Sequence, residues 1–179
     1  AALRSPHLTI PDARAHEEAR TAGPARASIR PFTIHGKGTP CFVDVNDLLT
    51  QVIELTRARW SNIPQERGVV ISVTSDLAPN LPRILGAENE VRDALTNLLL
   101  NAVDSMPEGG AITLRTRARG NQIVVEVQDT GVGMSETTRS RCLEPFFTTK
   151  GERGTGLGLP MVFGMVQRHG GDLEIDSQL

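Results

Sequence analysis

Tyrosine is absent, and Phe and Trp bring aromatics to only 3% of the 179 residues. Surfaces that hold single-stranded nucleic acid stack bases on aromatic rings, so this composition argues against that class. Excess charge is lacking too: 19 Lys and Arg stand against 21 Asp and Glu, a formal net charge of −2. No bulk field draws the chain to nucleic acid or to an anionic membrane surface. No apolar stretch approaches the ~18–20 residues that span a bilayer. The first residues lack the charged, apolar and small-residue order of a signal peptide. Only two cysteines occur, Cys41 and Cys142, in unrelated contexts. They suit reduced thiols in a cytoplasmic protein better than a disulfide framework or a zinc site. A cytoplasmic domain is expected, with no nucleic acid partner and no direct membrane contact; a longer parent protein could still be membrane-anchored. Two phosphate-binding signatures are missing as well. There is no Gly-x-x-x-x-Gly-Lys-Ser/Thr, and no strand-led Gly-x-Gly-x-x-Gly with an acid downstream.

What is present divides into a tail and one domain of ordinary size. Residues 1–40 are punctuated by Pro6, Pro11, Pro24, Pro31 and Pro40 and are rich in Ala and Arg. Such a segment buries little surface by itself and reads as a linker, or the remnant of a helix from a neighbouring domain. Residues 41–179 are expected to be compact. Asp44 suits the N-cap of a helix over 45–60, with Val45, Leu48, Leu49, Val52 and Leu55 as its apolar stripe. A strand is predicted over 69–73, then a turn through Pro79 and Pro82 and a short strand over 83–85. Ile112, Leu114, Thr116 and Ala118 alternate with polar residues, Gly120-Asn121 signals a hairpin, and Ile123, Val125 and Val127 form the returning face. Ser135 suits the cap of a short helix. Phe146 and Phe147 read as core, at least one of them buried. Pro160 fits the first turn of a helix whose apolar side is Val162, Phe163 and Val166 and whose cap is Gly170. A last strand is expected over 172–176.

Three stretches carry more than packing. In a helix over 88–106, Val91, Leu95, Leu98, Leu99, Ala102 and Met106 recur at helical spacing. Glu90, Asp93, Asn97, Asn101 and Asp104 fall on the opposite face. Two interior asparagines cost roughly half a kcal/mol each against Ala. One turn apart, they can present hard oxygens and amide donors to a single ligand, such as magnesium carried by phosphates. A solvated face or a polar contact with a loop would also suit them. Next, Asp129 continues the inward series Ile123, Val125, Val127, and Gly131 and Gly133 let the backbone turn tightly beside a ligand. Those residues alone would also make an ordinary Asp-Thr-Gly turn. Finally, Lys150 and Arg153 lead into a glycine-rich run, Gly154-Thr155-Gly156-Leu157-Gly158-Leu159, that opens into a helix. Free N–H groups and the positive end of the helix dipole make such a start an anion site.

Taken in order, Asn97-x-x-x-Asn101, Asp129-x-Gly131-x-Gly133, Phe146-Phe147 and Gly154-x-Gly156-x-Gly158 resemble the catalytic ATP-binding domain of sensor histidine kinases. That superfamily is shared with DNA gyrase, MutL and a heat-shock chaperone, and the last two boxes are similar to nitrogen-regulation-type kinases. The resemblance implies an α/β (α+β) two-layer sandwich: a mixed, mainly antiparallel sheet with helices on one face and an ATP lid. It implies ATP and Mg²⁺ as cofactors. Asn101 would hold the metal, Asn97 would support the site, and Asp129 would accept from the adenine amino group. Gly131, Gly133 and Met134 would line the base, with Phe147 nearby. Gly154, Thr155, Gly156, Leu157, Gly158 and Leu159 would wrap the phosphates, and Lys150 would reach them from the lid. Many relatives carry a cation at the position of Asp104; a carboxylate there suggests contact through metal or water.

The implied chemistry is γ-phosphoryl transfer to a histidine on a dimerisation and phosphoacceptor domain, for relay to a response regulator. Residues 1–40 would then be the linker or remnant of that region. Among His7, His16, His35 and His169, only His16 is followed by an acid, and the family's proline five residues on is missing. The strand that usually closes the family's sheet is not seen after 172–176, so the chain reads as a fragment that binds ATP without phosphorylating itself. An ATP-hydrolysing gyrase-type relative and a non-enzymatic nucleotide-binding scaffold are the competing readings. Gyrase-type relatives carry Glu as the base where this chain has Asn97, and an amide cannot take a proton from water.

Overall fold

The computed structural model describes residues 25–29, 41–62, 68–151 and 154–179. Helix α1 (Val45–Arg57) starts where expected: the Asp47 amide donates to the Asp44 carboxylate at 3.1 Å. Its buried face is Val45, Leu48, Leu49, Val52 and Thr56. Leu55, placed in the stripe by sequence, is 71% exposed. The position one turn after Val52 is Thr56, whose hydroxyl donates to the Val52 carbonyl at 2.7 Å and so tolerates burial. The α-helix then widens into one π-helical turn, Ala58–Asn62. Such turns are rare and concentrate near functional sites.

Five strands form the main sheet: β1 (Ala25–Ile29), β3 (Ile71–Leu77), β5 (Gly110–Arg119), β6 (Gln122–Asp129) and β7 (Asp172–Ile175), in the order β3-β5-β6-β1-β7. The β3–β5 pair is parallel and the other three are antiparallel. A separate antiparallel pair joins β2 (Cys41–Val43) to β4 (Ile84–Gly86). Strand β3 is shifted from the expected 69–73. Val70 is 66% exposed, and pairing with β5 begins at Ile71↔Gly110 and runs to Leu77↔Thr116. As an edge strand, β3 carries Ser72, Thr74 and Ser75, which gave no apolar signal. Ala25–Ile29 lies within the segment read as linker, yet it stands between β6 and β7, with Ala27 opposite both Val125 and Leu173.

Ile112, Leu114 and Thr116 of β5 and Ile123, Val125 and Val127 of β6 are buried. They face α1, α2 (Glu88–Asp104) and α4 (Gly158–Arg168), whose inner residues complete the same core. The short α3 (Glu136–Arg141), capped by the Ser135 side chain as expected, adds no buried residue. The other face is polar, with Arg115 donating to Glu126 at 2.6 Å and to Gln128 at 2.8 Å. The result is the two-layer sandwich with a mixed, mainly antiparallel sheet. A partly buried polar knot joins the layers: Thr116 Oγ1 donates to Asn46 Oδ1 at 2.7 Å, while Asn46 Nδ2 donates to the Ala78 carbonyl at 2.9 Å. At the far end of α4, buried His169 keeps Nδ1 2.9 Å from the Met165 carbonyl. Its other nitrogen packs on Gly86 so closely that a Cβ there would lie 2.4 Å away. In α4 itself Val162, Met165 and Val166 are buried, while Phe163 is 37% exposed.

Candidate functional site

Helix α2 turns Val91, Leu95, Leu98, Leu99 and Ala102 into the core. Its opposite face borders a cleft of about 420 Å³ that runs under the segment leading into α4. Asn97 and Asn101 line this cleft, and the first residue of α4 lies against them. A Cβ on Gly158 would approach Asn97 Oδ1 to 3.0 Å and Asn101 Nδ2 to 3.4 Å. Glycine here lets the helix start approach the asparagine face. Among the described residues no side chain caps α4, so its first N–H groups are available to a ligand. Asn97 itself donates from Nδ2 to the Asp93 carbonyl at 2.9 Å, which leaves its oxygen toward Gly158.

At the other end of the cleft, Asp129 closes β6. Its Oδ1 accepts from Ser105 Oγ at 2.8 Å and from the Gly131 amide at 2.9 Å. Oδ2 has no partner among the described residues and can accept another donor. Gly131 is required by contact: a Cβ there would lie 2.0 Å from Ser105 Oγ. Gly133 has φ +69°, and a Cβ would lie 1.7 Å from the Gln178 carbonyl oxygen. Between the two ends, Lys150 reaches across from the glycine-rich segment. Its Nζ lies 3.1 Å from Asn101 Oδ1 and 2.7 Å from Asp104 Oδ2.

Asn97, Asn101, Asp104, Asp129, Gly133, Met134, Phe147, Lys150, Gly154, Thr155, Gly156, Gly158 and Leu159 all border this one cleft. Gly131 supports Asp129 from behind, and Leu157 is the residue from which α4 begins. Arg153, His7, His16 and His35 lie outside the described residues. Ser105 was missed by sequence reasoning, although it stands four residues after Asn101, as Asn101 stands after Asn97, which was a legible signal. Arg59, 3.7 Å from Asp104 Oδ1, was missed for lack of one, because the π-helical turn sets its direction.

The phenylalanine pair departs from expectation. Phe146 is 75% exposed, and Phe147 is half-buried at the cleft with the Arg141 guanidinium 4.3 Å from its ring centroid. The Phe146 amide donates to the Gly156 carbonyl at 2.9 Å, and this turn holds Phe146 at φ +67°. The strained backbone points to a constraint other than packing. Cys142 also borders the cleft; burial pushes its thiol above the ordinary range, against the lowering influence of its backbone hydrogen bond and of Arg139. Both cysteines are free. Among the described residues no three His, Cys, Asp or Glu side chains cluster as a metal cage, and no helix is long and apolar enough to cross a membrane. The cleft does hold hard oxygen donors, among them those of Asn101 and Asp104.

A mixed sheet backed by helices, with an uncapped helix start facing an asparagine pair across a cleft, defines an α/β sandwich suited to a phosphate-bearing ligand. Residues 86–179 match the family described as histidine kinase-, DNA gyrase B-, and HSP90-like ATPase, and the chain belongs to that family. Sporulation kinase C of Bacillus subtilis (strain 168) is 35% identical over 136 residues, covering 75% of this chain and 30% of that protein. Full-length ShkA in complex with AMPPNP matches with a TM-score of 0.63 and 32% identity, over 79% of this chain and 29% of that one. The mycobacterial sensor histidine kinase MprB matches with a TM-score of 0.61 and 26% identity, over 75% of this chain and 83% of that one. These matches bear out the resemblance to the catalytic ATP-binding domain of sensor histidine kinases. The chain spans 30% of Sporulation kinase C and 17% of Sporulation kinase E from the same organism.

Proposed function

We propose that this chain binds Mg·ATP in the cleft and transfers the γ-phosphoryl group to a histidine on a separate phosphoacceptor domain, for relay to a response-regulator aspartate. The observation that carries this reading is the convergence on one cleft of the asparagine face of α2, the Asp129–Gly131 corner, Lys150 and the start of α4. Asp129 has an open carboxylate oxygen for the adenine amino group. The backbone N–H groups from Gly154 to Leu159 meet the phosphates at the positive end of α4. Lys150 supplies a positive charge from the segment that precedes α4. Asn101 offers a hard oxygen to Mg²⁺, which would neutralise phosphate charge during transfer. Such transfer needs positioning and charge neutralisation more than covalent help from the protein. Asn97 supports the start of α4 and has no basicity with which to activate water, which disfavours hydrolysis.

The test supplies γ-labelled ATP and Mg²⁺ to the chain together with a histidine-hairpin domain from its parent. Acid-labile label should appear on the hairpin and not on this chain. ATP consumed to free phosphate without labelling the hairpin would support the gyrase-type alternative, and binding without turnover would support the scaffold one.

A further inference from the structure

Asn101 Oδ1 and Asp104 Oδ2 converge on a single point. One ammonium nitrogen, Lys150 Nζ, lies 3.1 Å from the first and 2.7 Å from the second. The two residues are three apart on α2, so the helical repeat brings both oxygens to one side. The carboxylate is held on its other oxygen too, with Arg59 Nη2 3.7 Å from Oδ1, delivered by the π-helical turn after α1. Exposed lysine–carboxylate pairs are common and weak. This one differs because the same nitrogen also takes a neutral amide oxygen, so the pair already forms a two-donor cation site inside the cleft. A neutral oxygen and an anionic one, with the remaining positions left to phosphate and water, is the kind of incomplete donor set that magnesium accepts.

We propose that Asn101 and Asp104 together form the divalent-cation site of the cleft, and that Lys150 occupies it in the nucleotide-free chain. Magnesium arriving with the phosphates takes the two oxygens, and the displaced ammonium turns to the phosphates. This rests on the reading of the cleft as a Mg·ATP site and adds Asp104 to it as a metal ligand. The electrostatics give it a signature of opposite signs. Without metal, the Asp104 carboxylate repels phosphate; with metal, it holds the cation that attracts phosphate.

Calorimetric titration of the whole chain with ATP, in excess Mg²⁺ and in chelator, tests this. The wild type should bind ATP more tightly with Mg²⁺. Asp104→Asn should reduce that enhancement at least tenfold while binding metal-free ATP more tightly than the wild type. Asp104→Glu should keep most of the enhancement, which separates loss of the ligand from loss of the fold. Lys150→Met should move the Mg²⁺ midpoint to lower concentration and weaken metal-free ATP binding. If Asp104→Asn keeps the full enhancement while Asn101→Ala loses it, the proposal is overturned and the ATP reading stands. If the wild type binds no ATP, or binds it regardless of Mg²⁺, the reading fails and the proposal with it.

Discussion

On α2, Val91, Leu95 and Leu99 are buried against the sheet and the neighbouring helices, whereas Asn97 and Asn101 on the other side border the cleft. Both sets repeat with the same helical period, yet they obey different rules. The apolar set is held by area and volume, so any well-fitting apolar side chain of similar size would serve. The polar set makes a few directed contacts, Asn97 to the Asp93 carbonyl and Asn101 to Lys150. Stability and ligand chemistry should therefore be separable on one helix.

The sharpest break of that comparison is Asn101→Ala. It should lower phosphotransfer to an added hairpin domain by at least ~100-fold, the scale on which single electrostatic donors act. Its melting temperature should stay close to the wild type, because a half-buried polar side chain is removed without opening the core. Leu99→Ala should do the reverse. Leu99 is fully buried, so the cavity costs ~2–5 kcal/mol by denaturant unfolding, while ATP affinity per folded molecule is retained.

Gly86→Ala probes packing at a distance from the cleft. A Cβ there meets His169 Nε2 at 2.4 Å, and overpacking of this kind costs ~1–3 kcal/mol. Combined with His169→Ala, the two changes should cost less than the sum of the singles. Asp129 sharpens the polar side of the comparison. GTP presents a carbonyl where ATP presents an amino group, so an acceptor left without its donor should weaken GTP at least tenfold, within the ~1–3 kcal/mol of a lost buried partner. Equal affinities in competition would remove the base-selecting role from Asp129.

The smallest effect concerns the thiols. Cys142 is buried with its thiol pushed upward, and Cys41 is exposed. Alkylation should label Cys41 first. Because the folded Cys142 thiol titrates higher than an unfolded one, it stays protonated and inert until the pH passes the ordinary thiol range. Stability contributed by keeping it neutral is then lost as pH rises further. Since Cys142 borders the cleft, ATP should slow its labelling again.

Much of this architecture was legible. The alternations in β5 and β6, the Asp44 cap and the amphipathic period of α2 are local patterns, and each element formed within a few residues of its expected bounds. Residues of four motifs far apart in sequence converge on one cleft. What escaped depends on partners distant in sequence. Ala25–Ile29 carries little apolar bulk, and only β6 and β7 make a strand of it. The polar edge strand β3 is defined by β5. Phe146 read as core because large aromatics usually are, whereas its backbone is turned by a bond to Gly156, ten residues on. The Arg59–Asp104–Lys150 arrangement required knowing where a π-helical turn would fall.

The most direct test of the separation between the two faces sets Asn101→Ala beside Leu99→Ala. ATP affinity with and without Mg²⁺, and thermal stability, are measured on both. The account predicts that Asn101→Ala loses the magnesium dependence of binding at a near wild-type melting temperature, while Leu99→Ala keeps that dependence at a melting temperature many degrees lower. Unchanged magnesium-dependent affinity in a folded Asn101→Ala protein would contradict it.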